Sequence, residues 1–265
     1  MRRCDCQHSA NPRSTAQLIK MKPEENITSP IWARIEALVD NVQGWSPIDQ
    51  LYSLYLLVWL GAQLEGDIVE VGSWCGRSAV VLAAAAKASG SSRVHCVDLF
   101  PERDDWKQNA DGTYSFQTLI DGKNYHGNQE QTVWKEAFET QTSKIYESHK
   151  GVFDCFRETI ATRGMEDIVS AHHGDLASLF DKFGPGFKCR LAFLDGDHGY
   201  EAVCGDIKNI DKHLVPGGWI CFDDAFSCYD GVDRAIRELI IANPDYDCCQ
   251  QLTRKLFVAR KKPNA

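Results

Sequence analysis

The sequence predicts an α/β fold in which a doubly wound, mostly parallel sheet of seven strands carries helices on both faces. Two observations support this prediction. From Asp67 onward, short apolar runs alternate with helical repeats, and this alternation is typical of a parallel sheet covered by helices. Each of the first five strand-like runs also ends in, or is followed by, a glycine or an acidic residue. Because ligands bind at the carboxyl ends of parallel strands, the second pattern indicates a Rossmann-like sheet with a site along one edge.

The predicted elements follow one another in a regular order. Two helices, over residues 29–42 and 46–64, precede the sheet as an N-terminal helical extension. Strands are predicted over residues 67–72, 93–100, 168–175, 189–197, 217–226, 245–252 and 255–261. The helices of the sheet are predicted over residues 78–88, 151–165, 176–183, 200–214 and 231–243.

The chain of 265 residues is expected to form one domain over residues 26–265. Residues 1–25 lack apolar periodicity and are expected to be a flexible N-terminus. The helical extension either builds a dimer face, giving a homo-oligomer, or covers the sheet. Residues 101–148 are too long for a plain connection and are expected to be an inserted lid that contacts substrate. Its aromatic side chains are expected either to stack on a substrate ring or to pack within the insertion: Trp106, Tyr114, Phe116, Tyr125 and Trp134.

Composition and charge exclude several classes of function. The net charge of -8 argues against a nucleic-acid partner. The longest apolar run, residues 51–64, is too short to span a membrane, and the N-terminus lacks the apolar segment of a secretory signal. The eleven cysteines have no regular spacing, so we expect reduced thiols in a cytoplasmic protein. Two cysteine groups lack the paired spacing of zinc sites: Cys4 and Cys6 with His8, and Cys248 with Cys249.

The turn after the first strand predicts the kind of cofactor. Its sequence, VEVGSWCGRS, contains Gly72 and Gly76 but lacks the third glycine that a dinucleotide fold uses around a pyrophosphate. Glu70, inside the strand, would repel a pyrophosphate and suits a positively charged ammonium group. Asp98, at the end of the second strand, is placed to accept hydrogen bonds from both hydroxyls of a ribose. Ammonium, carboxylate and ribose together describe S-adenosylmethionine (SAM).

Three segments resemble the motifs of one enzyme family. EVGSWCGRS resembles the first motif of class I SAM-dependent methyltransferases, especially the metal-dependent small-molecule O-methyltransferases of the catechol and sugar types. HCVDLF resembles their second motif, and DGDHGYEAV with LVPGGWICFDDAF resembles the signature of a bacterial group that includes macrocin-type and cephalosporin-hydroxylase-like enzymes. The resemblance runs from about Gly61 to Lys261 without the insertion. It implies methyl transfer from SAM to a hydroxyl of a sugar, a glycosylated natural product or a phenol.

The resemblance also assigns the cofactor residues. Residues expected to line the methionine part are Glu70, Gly72, Ser73, Trp74, Gly76 and Ser78. Asp98 would hold the ribose, Gly174 and Asp175 would flank the adenine, and Asp195 would lie beside the cofactor. A tight turn and a helix cap would account for the glycines and Asp98 equally well, but would leave a carboxylate unexplained inside an apolar strand. His172 and His173 are expected to lie in a loop.

A second group of residues is expected to activate the acceptor. An alcohol is protonated at pH 7, so a divalent ion or a base must assist the transfer. Asp195, Asp223 and Asp224 follow two strands and fit the family's ligand positions for Mg²⁺, which prefers oxygen ligands. His198 is expected to be the base, or otherwise a residue that orients a ligand or caps a helix. Asp197 is expected to cap the following helix, and the metal itself is absent in some relatives.

Two other classes of protein share this pattern. A nicotinamide-dependent oxidoreductase would have a similar sheet, but the missing third glycine and Glu70 argue against it. A non-catalytic SAM-binding relative would not need Asp195 together with the pair Asp223 and Asp224. The expected partner is therefore a small hydroxylated molecule, with neither nucleic acid nor membrane.

Overall fold

The computed structural model describes residues 30–90, 92–129 and 132–263. The predicted flexible N-terminus and the group Cys4, Cys6 and His8 lie outside the described residues. The described strands are β1 (Asp67–Val71), β2 (Val94–Asp98), β3 (Trp106–Gln108), β4 (Tyr114–Ile120), β5 (Lys123–Gly127), β6 (Val169–His173), β7 (Cys189–Leu194), β8 (Leu214–Phe222), β9 (Tyr246–Gln251) and β10 (Phe257–Lys261). The described α-helices are α1 (Pro30–Val39), α2 (Ile48–Leu60), α3 (Arg77–Ser89), α4 (Lys135–Ala137), α5 (Ser143–Ser148), α6 (Val152–Thr162), α7 (Leu176–Phe183), α8 (Tyr200–His213) and α9 (Asp230–Ile236).

The central sheet has seven strands in the order β6-β2-β1-β7-β8-β10-β9. The first five strands are parallel, whereas β10 runs antiparallel to both of its neighbours, β8 and β9. This arrangement confirms the predicted mostly parallel sheet. The chain reaches the far edge with β9 and returns with β10, which therefore lies beside β8 although it is the last strand in the sequence.

Helices cover both faces of the sheet because successive strand residues point to opposite sides. Ile68 of β1 packs in the core with α1, α2, α3 and α6, whereas the next residue, Val69, packs with α7, α8 and α9. All six residues of β7 are buried, as expected for a strand covered on both faces. Among the described residues, no helix is both long and apolar enough to cross a membrane.

The N-terminal extension packs on α3. Leu51, Leu54 and Val58 of α2 are buried in the core that α3 shares. The guanidinium of Arg77, the first residue of α3, donates hydrogen bonds to the carbonyl oxygens of Val39 and Ser46 at 2.8 and 3.1 Å. The two helices therefore pack beside α3 on one face of the sheet, where Arg190 of β7 donates a hydrogen bond to the Val58 carbonyl of α2 at 3.3 Å.

Five strands end at one edge, as the sequence predicts. Gly72, Asp195 and Asp223 directly follow β1, β7 and β8, and Asp98 is the last residue of β2. The loop prediction for His172 and His173 is wrong, because both residues belong to β6 and pair with Val97 and Asp98 of β2. Their rings hydrogen-bond to the Ser178 hydroxyl at 3.0 Å and to the Leu99 carbonyl at 2.7 Å, and these contacts extend the strand.

The insertion contains a small antiparallel sheet in the order β3-β4-β5, followed by a helical segment from α4 to α5. Most of its aromatic residues pack within the insertion. The Trp106 indole N–H donates to the Tyr146 hydroxyl at 2.7 Å, and Tyr114 stacks on Phe138 with ring centroids 3.8 Å apart. Trp134, by contrast, is 76% exposed. The insertion borders the turn after β1, where the rings of Trp106 and Trp74 lie 6.4 Å apart.

Candidate active site

Gly72 brings the turn after β1 into direct contact with the end of β7. Its φ is +84°, and a Cβ at this position would lie only 1.9 Å from the carbonyl oxygen of Asp195. The strands β1 and β7 are parallel neighbours, so both segments leave the sheet side by side. Only glycine permits this approach. The predicted cofactor turn and the predicted acidic cluster are consequently parts of one site.

The other glycine of the turn has a different partner. Gly76 precedes α3 with a φ of +88°, and a Cβ there would lie 3.3 Å from the ring of Phe156 in α6. Trp74, between the two glycines, also has a positive φ of 47°. The buried Ser78 follows in the first turn of α3. The turn is therefore shaped by contacts with α6 and β7, while its backbone faces the carboxyl edge.

Glu70 is a fully buried carboxylate with an unsatisfied oxygen. Its Oε2 accepts a hydrogen bond from the Cys96 thiol at 3.4 Å, whereas Oε1 and the hydroxyl of buried Ser73 form no hydrogen bond of regular geometry in the described part of the chain, although the Ser73 and Ser78 hydroxyls lie near the carboxylate. Burial raises the pKa of Glu70. Buried polar atoms without partners are costly, and a cationic donor such as the ammonium group of SAM would satisfy both. These residues therefore fit the predicted cofactor.

Asp98 holds the loops around the turn together. Its carboxylate accepts hydrogen bonds from the backbone N–H groups of Trp74 at 2.8 Å and Phe100 at 2.6 Å. Burial raises its pKa, and these two hydrogen bonds offset part of the rise. No helix begins at Asp98, so the helix-cap alternative does not apply. Each oxygen keeps a second lone pair, which leaves acceptor capacity for a ribose.

The contacts of Gly174 and Asp175 within the protein account for these residue types without a ligand. Asp175 is the N-cap of α7, where its carboxylate accepts a hydrogen bond from the Ser178 N–H at 2.9 Å. The same carboxylate pairs with Lys123 of the insertion at 2.7 Å. A Cβ on Gly174 would lie 2.7 Å from the Ser178 hydroxyl, so the close start of α7 requires glycine. Contact of these two residues with adenine stays a prediction.

Asp195, His198 and Asp223 come together at the ends of β7 and β8. Each offers one ligand atom, and the three atoms lie within 4.8 Å of one another. Asp223 is 3% and His198 8% exposed. Burial and the neighbouring charge of Asp223 raise the pKa of Asp195 well above its usual range. Burial opposes ionisation of Asp223 too, but the hydrogen bond from Asp195 and the charge of Lys255 lower its pKa.

Two residues of the site are absent from the sequence prediction. Lys255 places its Nζ 3.0 Å from Oδ2 of Asp223 and 3.2 Å from Oδ1 of Asp224. Gln50, from α2, is fully buried beside Asp223, and neither atom of its amide has a regular hydrogen bond in the described residues. Lys255 is detectable from sequence only once β10 is paired with β8, because that pairing sets the start of β10 beside the end of β8. Gln50 carries no sequence signal, since it lies in an ordinary helical repeat.

Asp224 differs from the other two acids that the sequence assigns to a metal. It has a φ of +50°, and its carboxylate lies 3.2 Å from Lys255 and 3.8 Å from Nε2 of His198. It does not belong to the trio whose ligand atoms meet. Two carboxylates and an imidazole nevertheless suit a divalent ion, and Oδ1 of Asp223 is buried without a partner. The residues present therefore fit a divalent ion, with Lys255 on one side of the cluster.

His198 is a buried imidazole beside the acidic cluster. Its ring stacks on Tyr229 with centroids 4.9 Å apart, and neither ring nitrogen has a hydrogen-bond partner among the residues described. Burial lowers its pKa, and the nearby carboxylates of Asp224 and Asp223 offset part of that change. Asp197 accepts a hydrogen bond from the N–H of Gly199 at 2.7 Å, but Gly199 is the N-cap of α8 and no described side chain caps this helix, so the prediction that Asp197 caps it is wrong.

Comparison with known proteins identifies the family. Residues 69–225, more than half of the chain, match a family model described as a methyltransferase domain. The chain belongs to this methyltransferase family. The matched segment begins in β1 beside Glu70 and ends just after Asp224. It therefore contains both the turn and the acidic cluster, whereas Gln50 and Lys255 lie outside it.

Solved structures of methyltransferases share the fold. The O-methyltransferase NovP is 17% identical, with a TM-score of 0.56 over 82% of this chain and 81% of NovP. An O-methyltransferase of Bacillus cereus in complex with S-adenosylhomocysteine (SAH) is 18% identical, with a TM-score of 0.54 over 90% and 94% of the two chains. The calicheamicin methyltransferase CalS11 is 16% identical, with a TM-score of 0.53 over 96% and 99%.

Proposed function

We propose that this methyltransferase transfers the methyl group of SAM to a hydroxyl of a small molecule: a sugar, a glycosylated natural product or a phenol. The observation that carries the proposal is the backbone contact between Gly72 and Asp195, because it joins a cofactor turn to an acidic cluster. Oxygen as the acceptor atom is supported by the fold shared with NovP and the Bacillus cereus enzyme, both named O-methyltransferases. SAM as the donor is supported by the unsatisfied Glu70 and Ser73.

The cofactor would lie along the carboxyl edge of β1, β2 and β6. Glu70 and Ser73 would receive the ammonium group, and the free lone pairs of Asp98 would accept the ribose hydroxyls. The backbone between Gly72 and Gly76 would border the methionine part, and Gly174 and Asp175 would lie nearest the adenine. Because Gly72 brings this turn against Asp195, the methyl donor would be held beside the acidic cluster.

The acceptor hydroxyl would bind between the cofactor and His198. Methyl transfer from a sulfonium mainly requires an in-line arrangement, which this chain would supply by fixing both reactants between β1 and β8. His198 would accept the hydroxyl proton, because its buried ring is neutral and has an unoccupied nitrogen. A divalent ion held by Asp195, Asp223 and, after rearrangement, Asp224 would supply a Lewis acid that lowers the pKa of the hydroxyl. The insertion, docked near Trp74, would close the site to water.

The test is transfer of isotopically labelled methyl from SAM to a panel of sugars, phenols and glycosylated natural products, with MgCl₂ or with EDTA. We expect label in a methyl ether, and lower activity in EDTA. The double substitution Asp223→Asn with Asp224→Asn should abolish the transfer, whereas the exposed Asp181→Asn on α7 should leave it unchanged. Label recovered on nitrogen contradicts the acceptor, and activity that survives both EDTA and the double substitution contradicts the metal.

A further inference from the structure

Lys255 occupies one side of the acidic cluster. Its Nζ is 3.0 Å from Asp223 and 3.2 Å from Asp224, and its side chain is only 14% exposed. The position is fixed by the backbone, since the Lys255 carbonyl accepts a hydrogen bond from the N–H of Ala225 at 3.0 Å. The ammonium group therefore bridges two adjacent carboxylates whose repulsion would otherwise oppose folding. This is the electrostatic task that a bound cation would perform.

Other buried polar atoms around the cluster lack hydrogen bonds of regular geometry. They are Oδ1 of Asp223, both ring nitrogens of His198 and both amide atoms of Gln50, in the described part of the chain, although the Gln50 amide lies within reach of the Asp223 carboxylate. These three side chains are 0 to 8% exposed. Within the described chain, the cluster thus has one strong cationic partner, Lys255, and several polar atoms that are not fully satisfied. An incoming ion would satisfy these atoms but would meet the charge of Lys255.

We infer that Lys255 is an internal counter-ion that competes with a divalent cation for Asp223 and Asp224. The inference rests on the proposed function, since it concerns the same site. With the ammonium in place, the protein folds without metal and binds a divalent ion weakly. Tight binding requires the Lys255 side chain to leave Asp224, so that this carboxylate turns toward the ion. Lys255 is thereby a positioning residue, which sets the affinity for metal without touching the substrate.

Metal affinity tests this directly. Calorimetric titration with MgCl₂ and with MnCl₂ compares the wild type with Lys255→Met, which removes the charge and keeps the length of the side chain. We expect Lys255→Met to bind both ions at least about tenfold more tightly, because buried carboxylates lose their only strong cationic neighbour in the described structure. Its melting temperature should fall without metal and recover with MgCl₂, a response that a purely structural lysine would not give.

Two matched variants serve as controls. Lys255→Arg retains the charge and should bind MgCl₂ as weakly as the wild type. Lys261→Met lies at the other end of β10, where Lys261 pairs with Asp211 at 3.1 Å, and should change neither metal affinity nor the response of the melting temperature to MgCl₂. Equal affinities for Lys255→Met and the wild type, or no metal binding by Lys255→Met, would overturn the inference.

The experiment remains decisive if Lys255→Met does not fold. Refolding of Lys255→Met and Lys255→Gln with and without MgCl₂ then replaces the titration: recovery only with MgCl₂ supports competition, and failure in both conditions contradicts it. Binding of SAH to the same wild-type sample separates the two proposals. If the wild type binds no SAH, the proposed function is wrong. If SAH binds normally and Lys255→Met has the metal affinity of the wild type, only the proposed role of Lys255 is wrong.

Discussion

At the scale of single residues, the site is organised by buried charges that are only partly paired. One oxygen of Asp223 pairs with Lys255, whereas the other forms no hydrogen bond of regular geometry among the described residues. Glu70 in the cofactor turn has a similar one-sided arrangement. A buried carboxylate with only one paired oxygen lowers the stability of the folded protein. Glu70 lies in β1 and Asp223 follows β8, the two strands that flank β7, and ligands that complete both carboxylates explain their presence there.

Replacement of His198 tests the proposed base. His198→Asn should lower the turnover number by about 100-fold while SAH binds with unchanged affinity, because the residue acts on the acceptor and not on the cofactor. His149→Asn, which alters a histidine paired with Glu158 on the surface, is the control and should retain full turnover. Steady-state kinetics of methyl transfer provide the measurement. Unchanged turnover in His198→Asn would reduce the residue to a packing partner of Tyr229.

Asp206 of α8 gives a prediction on stability. Burial, with the charges of Asp175 and Asp197, raises its pKa from 3.8 to about 7. The folded protein then binds more protons than the unfolded chain between these two values, so the free energy of unfolding falls as pH rises from about 4 to 7. Asp206→Asn should remove this pH dependence. At pH 8 it should raise the free energy of unfolding by about 2 kcal/mol, half of the value that the whole pKa shift would give for a completely buried carboxyl.

Urea unfolding of Asp206→Asn at pH 5 and pH 8 provides the measurement. The difference between the variant and the wild type should be only about a third as large at pH 5 as at pH 8, because the carboxyl loses its proton near pH 4 in the unfolded chain and near pH 7 in the folded protein. Asp181→Asn, in an exposed position of α7, is the control and should show the same small difference at both values. A stabilisation of Asp206→Asn that is equal at pH 5 and pH 8 would contradict the assignment.

At the scale of elements, the contact between β1 and β7 depends on one missing Cβ. Gly72→Ala would drive a methyl group into the Asp195 carbonyl, so it should lower the free energy of unfolding by at least about 3 kcal/mol. Gly112 has nearly the same φ, +86°, but a Cβ there meets nothing within 4 Å. Gly112→Ala should therefore cost only about 1 kcal/mol, the strain of a left-handed alanine. If Gly72→Ala and Gly112→Ala lowered the free energy of unfolding equally in chemical denaturation, the close approach of β7 to the turn would be unimportant.

Sequence patterns predict where helices and strands lie along the chain better than they predict which of these elements are neighbours in space. The apolar runs locate β1, β2 and β7 most clearly, because buried parallel strands are apolar on both faces. The strand predicted over residues 168–175 includes His172 and His173, whereas the separate expectation of a loop for these two residues is wrong, because their rings find partners only after folding. The sequence does not predict the small sheet of the insertion, because its strands are short and partly exposed.

At the scale of the whole molecule, the site is assembled from segments that are distant in sequence. Motifs reveal five residues because they lie in or next to the carboxyl ends of predicted strands: Glu70, Asp98, Asp195, His198 and Asp223. Gln50 and Lys255 join them only through the packing of α2 on α3 and the insertion of β10 beside β8. Tertiary structure thus supplies the cationic half of the cluster, which no local pattern contains.

Calorimetric titration with SAH tests the central claim most directly, because it does not require the acceptor to be known. We expect that the wild type binds SAH and not NAD⁺, and that Glu70→Gln weakens SAH binding by about tenfold or more through loss of the charge facing the ammonium. Glu65→Gln, which alters an exposed carboxylate paired with Lys188, should bind SAH normally. Binding of NAD⁺ in place of SAH, or equal SAH affinity for wild type and Glu70→Gln, would contradict this claim.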